Sequence, residues 1–519
     1  MTVKLILLLV FVAATIAIGI YSRKKATDVN QFVLGGRSIG PWMSAFAYGT
    51  TYFSAVMFVG FAGQFGWKFG LSATWVGIGN AIIGSMLAWL ILARRTRIMT
   101  HHLDSATMPD FFSKRYNSKG IKLAASAILF VFLIPYTASL YNGLSRIFGM
   151  AFNIDYSVCI VAMAVLTAIY VILGGYLATA INDFIQGIIM LGGVVAVVLA
   201  VINGQGGFSH ALTALSQVPT ATGKTGAFTS LFGPDPVNLF AVVILTSLAT
   251  WGLPQMVHKF YAIKDEKSIA KGTIISTIFA VVISAGCFFM GGFGRLFDSS
   301  ALYSKNVVVF DRIVPSMLST LPDILIGIVV ILVLSASMST LAALVMTSSS
   351  SLTLDFIKGT VVKNMTEKKQ VLTIRILLAV FILISALLAL FQYKSTVTFI
   401  AQLMSISWGA LAGSFLGPFI YGLYWKRVTR PAVWTSFIVG VGLTVLNMIL
   451  KFFIIPSMTA AGISVSNTFI GFISSPIITG VITMLLSLVI IPVVSLITKK
   501  PDAQQIESIF SCFDKKAVK

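Results

Sequence analysis

Charge is scarce in this sequence. Only 10% of its 519 residues are Asp, Glu, Lys or Arg, where a soluble domain carries about 25%. Acid is scarcer still, with 16 Asp and Glu against 37 Lys and Arg. A water-soluble fold of this length could not clothe its surface with so few charges, so the solvent for most of the chain is lipid. Cysteine is nearly absent: Cys159, Cys287 and Cys512 lie far apart, which excludes a disulfide framework and a cysteine metal site. Histidine is as rare, and His101 and His102 stand in a basic stretch, where a solvated loop is a simpler account than metal binding. No nucleotide, metal or nucleophile motif is present, and no His, Asp and Glu cluster at membrane depth, so the chain does not read as an enzyme. The net charge of +21 does not point to nucleic acid, because the basic residues fall between apolar runs instead of on soluble elements with interleaved aromatics.

What is present is apolar: 57% of residues are hydrophobic and the mean hydropathy is +0.95. Thirteen stretches are long enough to span a bilayer, at 3–21, 42–65, 71–93, 123–149, 155–176, 181–203, 237–258, 273–296, 322–354, 372–392, 396–424, 431–454 and 470–498. The first is too long for the apolar part of a signal peptide. Its basic residues Arg23, Lys24 and Lys25 follow it instead of preceding it, so it is expected to span. Connections are short and leave no room for a soluble domain. The longest, Gly204 to Pro236, reads as a Gly-, Thr- and Ser-rich loop, and the stretch after Lys499 as a short polar tail. With the N-terminus outside and sides alternating, the inner segments 23–37, 94–122, 259–271, 358–375, 426–430 and beyond 498 hold 28 of the 37 basic residues. Positive residues favour the cytoplasmic side. The expectation is a multi-pass protein of the plasma (cytoplasmic) membrane, N-terminus outside and C-terminus inside. Oligomeric state is not legible.

Two of these stretches carry breaks. The second contains Gly49-Thr50-Thr51-Tyr52-Phe53-Ser54, where Gly and β-branched Thr weaken the helix. The seventh contains Thr250-Trp251-Gly252-Leu253-Pro254-Gln255, where Pro254 removes a donor. Irregular backbone in a bilayer survives only where it is buried in protein or lines a cavity. Paired breaks at matching places in two halves point to a transport site. Five helices separate them, the spacing of an inverted repeat, with 42–203 as one half and 237–424 as the other. The helix at 1–21, the pair at 431–498 and the tail 499–519 stand outside the repeats. Close helix packing through Gly is the alternative account of either break alone.

The residues then resemble the sodium/solute symporter family over nearly the whole length. The resemblance begins at Phe32-Val33-Leu34-Gly35-Gly36-Arg37-Ser38-Ile39-Gly40-Pro41 and continues at Thr107-Met108-Pro109-Asp110-Phe111-Phe112. Ile172-Leu173-Gly174-Gly175-Tyr176-Leu177-Ala178 with Asn182-Asp183-Phe184-Ile185-Gln186-Gly187 is similar to the family signature. Met338-Ser339-Thr340, then Gly417-Pro418 through Tyr424-Trp425-Lys426-Arg427, follow in family order. The resemblance implies an all-α, polytopic, thirteen-helix fold of the leucine-transporter type, with a five-plus-five inverted repeat, moving a small solute with Na⁺. It is nearest the branch of bacterial pantothenate, monocarboxylate and proline carriers, and around Tyr52 and Gly252-Leu253-Pro254 it looks closer to the pantothenate carrier. It departs from the proline carriers at Tyr52, where they have Asp, and from the usual signature at Tyr176.

The resemblance also assigns residues. It implies Na⁺ on the main-chain oxygens of Thr50, Phe53 and Ala336 and the hydroxyls of Ser339 and Thr340, with Asp183 near the sodium exit. Without it, Ser339 and Thr340 could simply bond back to their own helix, and Asp183 could cap a helix start. The solute is expected beside the breaks, among Tyr52, Ser54, Met57, Tyr136, Thr246, Thr250, Trp251 and Gln255, with Gln402 and Trp408 as weaker members. None of these is acidic, which argues against a cationic solute and for a carboxylate. Na⁺ is the coupling ion expected, with no organic cofactor; proton coupling is the alternative. A channel is less favoured, since it would need a continuous polar filter.

Overall fold

The computed structural model describes residues 2–23, 28–304, 307–358, 360–362, 364–394, 400–461 and 469–514. It is almost entirely helical; the only strands among these residues are the antiparallel pair Tyr303–Ser304 and Val307–Val308. Among the described residues, eleven helical stretches are long and apolar enough to cross a membrane. Two of them, Val56–His102 with 47 residues and Tyr156–Gly204 with 49, are about twice what one crossing needs at about 1.5 Å per residue. Each holds a glycine with a left-handed φ where the chain can turn: Gly70 (φ 64°) and Gly175 (φ 59°). The stretch expected at 396–424 starts in residues outside those described; the helix is described from Ile400 to Tyr424.

The few acids have local work. The carboxylates of Asp28, Asp155, Asp235, Asp265 and Asp502 each accept an amide N–H at the start of a helix, where the first amides have no intrahelical partner. Burial is uneven in a way that suits lipid. The helices Asp323–Ser351 and Ile400–Tyr424 are buried along most of their length and form the centre. Large apolar side chains such as Leu9, Val165, Phe391, Phe453 and Ile497 face outward. In water such a surface would drive association; in a bilayer it is the natural exterior.

Three expectations change. Gly204 to Pro236 is not only loop: it contains the helix Phe208–Ser216 and a short 3-10 turn, Ala227–Thr229. The tail is not simply polar: Ala503–Phe510 is an amphipathic helix that buries Ile506, Ile509 and Phe510 against the protein. Asp183 does not cap a helix start. The helix runs on past Gly175, and Asp183 sits two turns into it, 1% exposed.

Candidate functional site

Both expected breaks are present. The helix Pro41–Tyr52 stops at Phe53, whose backbone is extended (φ −90°, ψ 121°), and helical backbone resumes at Ala55 with π-type turns over Val56–Phe61. The interruption therefore falls just after the Thr pair. The helix Pro236–Ala249 stops before Thr250, and Pro254–Tyr261 starts afresh with Pro254 in the first helical position, where its missing N–H costs nothing.

The first break frees oxygen. In an unbroken helix the amide of Ala55 would bond to the carbonyl of Thr51; here it donates to Ser337 Oγ at 3.2 Å. The Thr340 hydroxyl stands 3.1 Å from Thr51 O, 3.3 Å from Thr50 O and 3.0 Å from Ala336 O. Ser339 Oγ donates to Thr50 Oγ1 at 2.8 Å. Four of the five residues expected to hold Na⁺ thus converge from two helices at one point, and Phe53 occupies the extended turn beside them. The oxygen set is neutral. Ser337, which was not anticipated, is what draws the Ala55 amide away; as one of several serines on a helix it carried no distinguishing mark in the sequence.

Ser339 also lies beside Asp183. Asp183 Oδ2 is 3.4 Å from Lys259 Nζ, and both side chains are buried, 1% and 3% exposed. By its place in the sequence Lys259 belongs to the basic inner segment 259–271. It is instead the sixth residue of Pro254–Tyr261, packed inside the protein. Around the pair several buried polar atoms have no protein partner: Asp183 Oδ1, Asn182 Nδ2, both amide atoms of Gln186, and the Tyr176 hydroxyl. Buried polar groups without partners are rare. A cluster of them beside an ion pair marks a place that water or an ion can occupy.

The solute set divides in two. Tyr52 stacks on Trp408 with ring centroids 6.1 Å apart, Tyr136 meets the same indole edge-on at 6.0 Å, and Phe61 at 6.4 Å. Ser54 is buried with an unpartnered hydroxyl, and Met57 is fully buried in the π-type segment. Trp408, a weaker member of the expected set, is the hub of this group. Gln402 Oε1 and Gln255 Oε1 are buried without partners. The other half faces a neighbouring helix. Thr250 Oγ1 donates to Gly84 O at 3.0 Å and Trp251 Nε1 to Ile83 O at 2.9 Å. Thr246 Oγ1 donates to Asn80 Oδ1 at 2.8 Å, and Ser247 Oγ to the same atom at 3.1 Å. Tyr52 joins the halves by donating to Thr246 O at 3.1 Å. Asn80 thus ties the second break to the helix beside it.

At one end of the bundle, a cleft of ≈ 690 Å³ is lined by Phe65, Lys68, Asp235, Asn238, Arg295 and Ser475. Arg295 lies 4.0 Å over the Phe228 ring and donates to Trp67 O at 2.7 Å. Its side chain is therefore fixed over aromatic rings in this cleft.

A helix broken beside a neutral oxygen cluster, tied through Tyr52 to a second broken helix inside a lipid-facing bundle, is the architecture expected of a secondary transporter. The comparisons agree. The sequence matches the sodium:solute symporter family over residues 32–440, and the chain belongs to that family. It is 30% identical over 463 residues to a sodium/proline symporter of Staphylococcus aureus (strain JH9), covering 84% of each chain. It is 28% identical over 457 residues to the osmoregulated proline transporter OpuE of Bacillus subtilis (strain 168), covering 85% of this chain and 88% of that one. Its fold superposes on a Na⁺-coupled sialic acid symporter with a TM-score of 0.75 at 17% identity, over 96% of this chain and 98% of the other. The fold is of the leucine-transporter type, and the protein is a Na⁺-coupled symporter of a small solute, not an enzyme.

Proposed function

We propose that the protein uses Na⁺ to take up a small carboxylate-bearing solute, with proline the first to test, and that Na⁺ is held by Thr50, Phe53, Ala336, Ser339 and Thr340. The observation that carries the reading is the Thr340 hydroxyl, 3.0 to 3.3 Å from main-chain oxygens of both the broken helix and the helix opposite it. Carbonyls released from helical bonding, with hydroxyls between them, are what a hard monovalent cation needs in place of water. Such a cage has no group that carries a proton. The titratable pair beside the cage, Asp183 and Lys259, already compensates itself.

The solute is proposed to lie across the breaks, against Tyr52, Ser54, Met57, Tyr136 and Trp408 on one side and Thr246, Thr250, Trp251 and Gln255 on the other. Three features support a carboxylate. Half-helix ends present amides that attract anions. No acid is among these residues. Lys68 and Arg295 line the cleft at one end of the bundle against one acid, Asp235, and the excess positive charge favours anions there. Proline enters because the relatives carry its name; Tyr52, where proline carriers have Asp, is the reason to test pantothenate and small monocarboxylates beside it.

Asp183 is proposed to receive Na⁺ after it leaves the cage, with Ser339 between them. The membrane reading is thirteen crossings, with repeats 42–203 and 237–424 and the basic ends of the helices in the cytoplasm. A tenfold Na⁺ gradient supplies about 1.4 kcal/mol, and 100 mV adds about 2.3 kcal/mol per charge. Together these support roughly 500-fold accumulation per ion.

Uptake by proteoliposomes tests the reading, with labelled proline, pantothenate and monocarboxylates under a Na⁺ gradient and then with K⁺ in place of Na⁺ at the same voltage. Uptake that is unchanged in K⁺ would overturn Na⁺ coupling. A neutral amide of the solute that competes as well as the acid would overturn the carboxylate.

A further inference from the structure

Three segments distant in sequence meet at the basic end of the bundle: the helix Met108–Tyr116 with Asn117, the turn at Val428–Pro431, and the chain from Lys499 into the helix Ala503–Phe510. They enclose a cleft of ≈ 410 Å³. Four cations line it, Arg115, Arg430, Lys499 and Lys500, against one acid, Asp502. That acid is engaged, since Asp502 Oδ1 accepts the amide of Gln505 at 2.8 Å to cap the terminal helix.

Arg115 is the unusual member. It is 1% exposed. Its Nε donates to Gly422 O and its Nη2 to Trp425 O, each at 2.9 Å. These bonds and the Phe510 ring 5.0 Å away hold the guanidinium in place. Nη1 is buried and has no partner. A fixed guanidinium edge left with a free N–H, next to three further cations, is an arrangement for an oxyanion. Arg430 is held as well, donating from Nε to Tyr116 O at 2.7 Å. Lys499 and Lys500 are exposed at the rim and free to close over a ligand.

The surroundings select the source of that oxyanion. Leu496 and Ile497, immediately before the two lysines, are exposed, as is Trp434, one turn beyond Arg430. Apolar side chains exposed at a helix end, with an indole among them, are the signature of the zone where lipid tails meet headgroups. A ligand whose anionic end enters the cleft would find a surface for hydrocarbon beside it.

We propose that this cleft binds the phosphate of an anionic phospholipid. The phosphodiester sits against the edge of the Arg115 guanidinium and Arg430, the two lysines cover it, and the acyl chains lie along Leu496, Ile497 and Trp434. The bound headgroup would then fasten the terminal helix and the Val428–Pro431 turn to the Met108–Tyr116 helix. The inference rests on this face meeting an anionic leaflet. Binding to purified protein does not depend on which side of the membrane that is, nor on Na⁺ or solute, so its failure is separable from failure of the transport reading.

The test is lipid retention by the full-length protein in neutral detergent, read by native mass spectrometry, with phosphatidylglycerol, phosphatidylcholine and inorganic phosphate as probes. Phosphatidylglycerol is expected to bind more tightly than phosphatidylcholine. The Lys499→Gln, Lys500→Gln double variant, altered only at exposed positions, is expected to weaken it about thirtyfold, a factor of roughly five for each lysine. Lys368→Gln with Lys369→Gln, exposed residues outside the cleft lining, is expected to leave it unchanged. Equal retention of the two lipids, or equal losses in the two double variants, would overturn the site in favour of diffuse surface charge. Displacement of phosphatidylglycerol by inorganic phosphate at comparable concentration would overturn the lipid assignment and leave a free anion as the ligand.

Discussion

The buried pair Asp183–Lys259 gives the sharpest quantitative prediction. Two opposite charges 3.4 Å apart attract by roughly 5 kcal/mol at the effective dielectric constant of about 20 that suits buried protein sites. Removing one partner does more than forfeit that attraction: it leaves the other charge buried without compensation, which typically costs about 3–5 kcal/mol. Removing both avoids the penalty, and an apolar pair of similar volume is often close to neutral. Asp183→Asn and Lys259→Met are therefore each expected to lower thermal stability in detergent severely. The double variant is expected to recover most of the loss, with a coupling free energy of at least about 2 kcal/mol in the double-mutant cycle. Transport separates structure from function: if Asp183 receives Na⁺, the restored double variant folds but still turns over slowly. Additive losses in stability would refute the pair as a structural unit. Full turnover in the double variant would refute its place on the sodium path.

Four further outcomes are expected. Thr340→Ala removes the hydroxyl shared by three carbonyls and should weaken apparent Na⁺ affinity by about tenfold or more, one contact to a charged group being about 1.5–3 kcal/mol; Thr340→Ser should largely retain it, and a change confined to solute affinity would move Thr340 to the solute site. Trp408→Ala should raise the solute KM by tenfold or more, with Na⁺ affinity at saturating solute little changed, because aromatic contacts to three side chains converge there; an unaltered KM would remove the aromatic group from the site. Burial pushes the Asp311 carboxyl up to about 6, against the pull of Arg146 and of the Ile400 amide. A raised value means that folding favours the protonated acid, so this contribution is complete below the ordinary value of 3.8 and is lost as pH rises through about 6. Asp311→Asn should therefore stabilise the protein at pH 7 by up to roughly 3 kcal/mol and make little difference at about pH 3, below the ordinary value; thermal melts at the two pH values decide it. Finally, Cys512 is half-buried near the C-terminal end while Cys159 and Cys287 are buried, so an impermeant maleimide should label the protein in inside-out vesicles only; labelling of right-side-out vesicles would reverse the topology.

The sequence by itself determined the solvent of this protein, its helical class and both interruptions. Those properties reside in composition and local chemistry: few charges over 519 residues, apolar runs of spanning length, and Gly, Thr and Pro at two places where a helix cannot be continued. The resemblance to a family supplied the oxygen residues, and the structure brings four of them together, because positions on two helices facing each other are fixed by the same fold. What needed the tertiary structure were pairings between distant segments. Nothing local distinguishes Lys259 from the basic residues after it; only the packing of Pro254–Tyr261 inside the bundle, 76 residues from Asp183, makes it a buried counter-charge. Trp408 is legible in the sequence only as a weaker member of the solute set; its place as the hub, met by Tyr52 and Tyr136 from two other helices, is decided by packing. The polar tail became a docked helix because Ile506, Ile509 and Phe510 share one face at helical spacing, a signal short enough to miss between charged neighbours. The basic cleft has no sequence signature at all, since Arg115, Arg430 and Lys499 are neighbours only in space. Periodicity and composition describe how a segment meets its solvent, and here that solvent is lipid. Which segments then meet one another is decided by packing, and the buried Asp183–Lys259 pair, the aromatic hub and the cleft are all products of that second step.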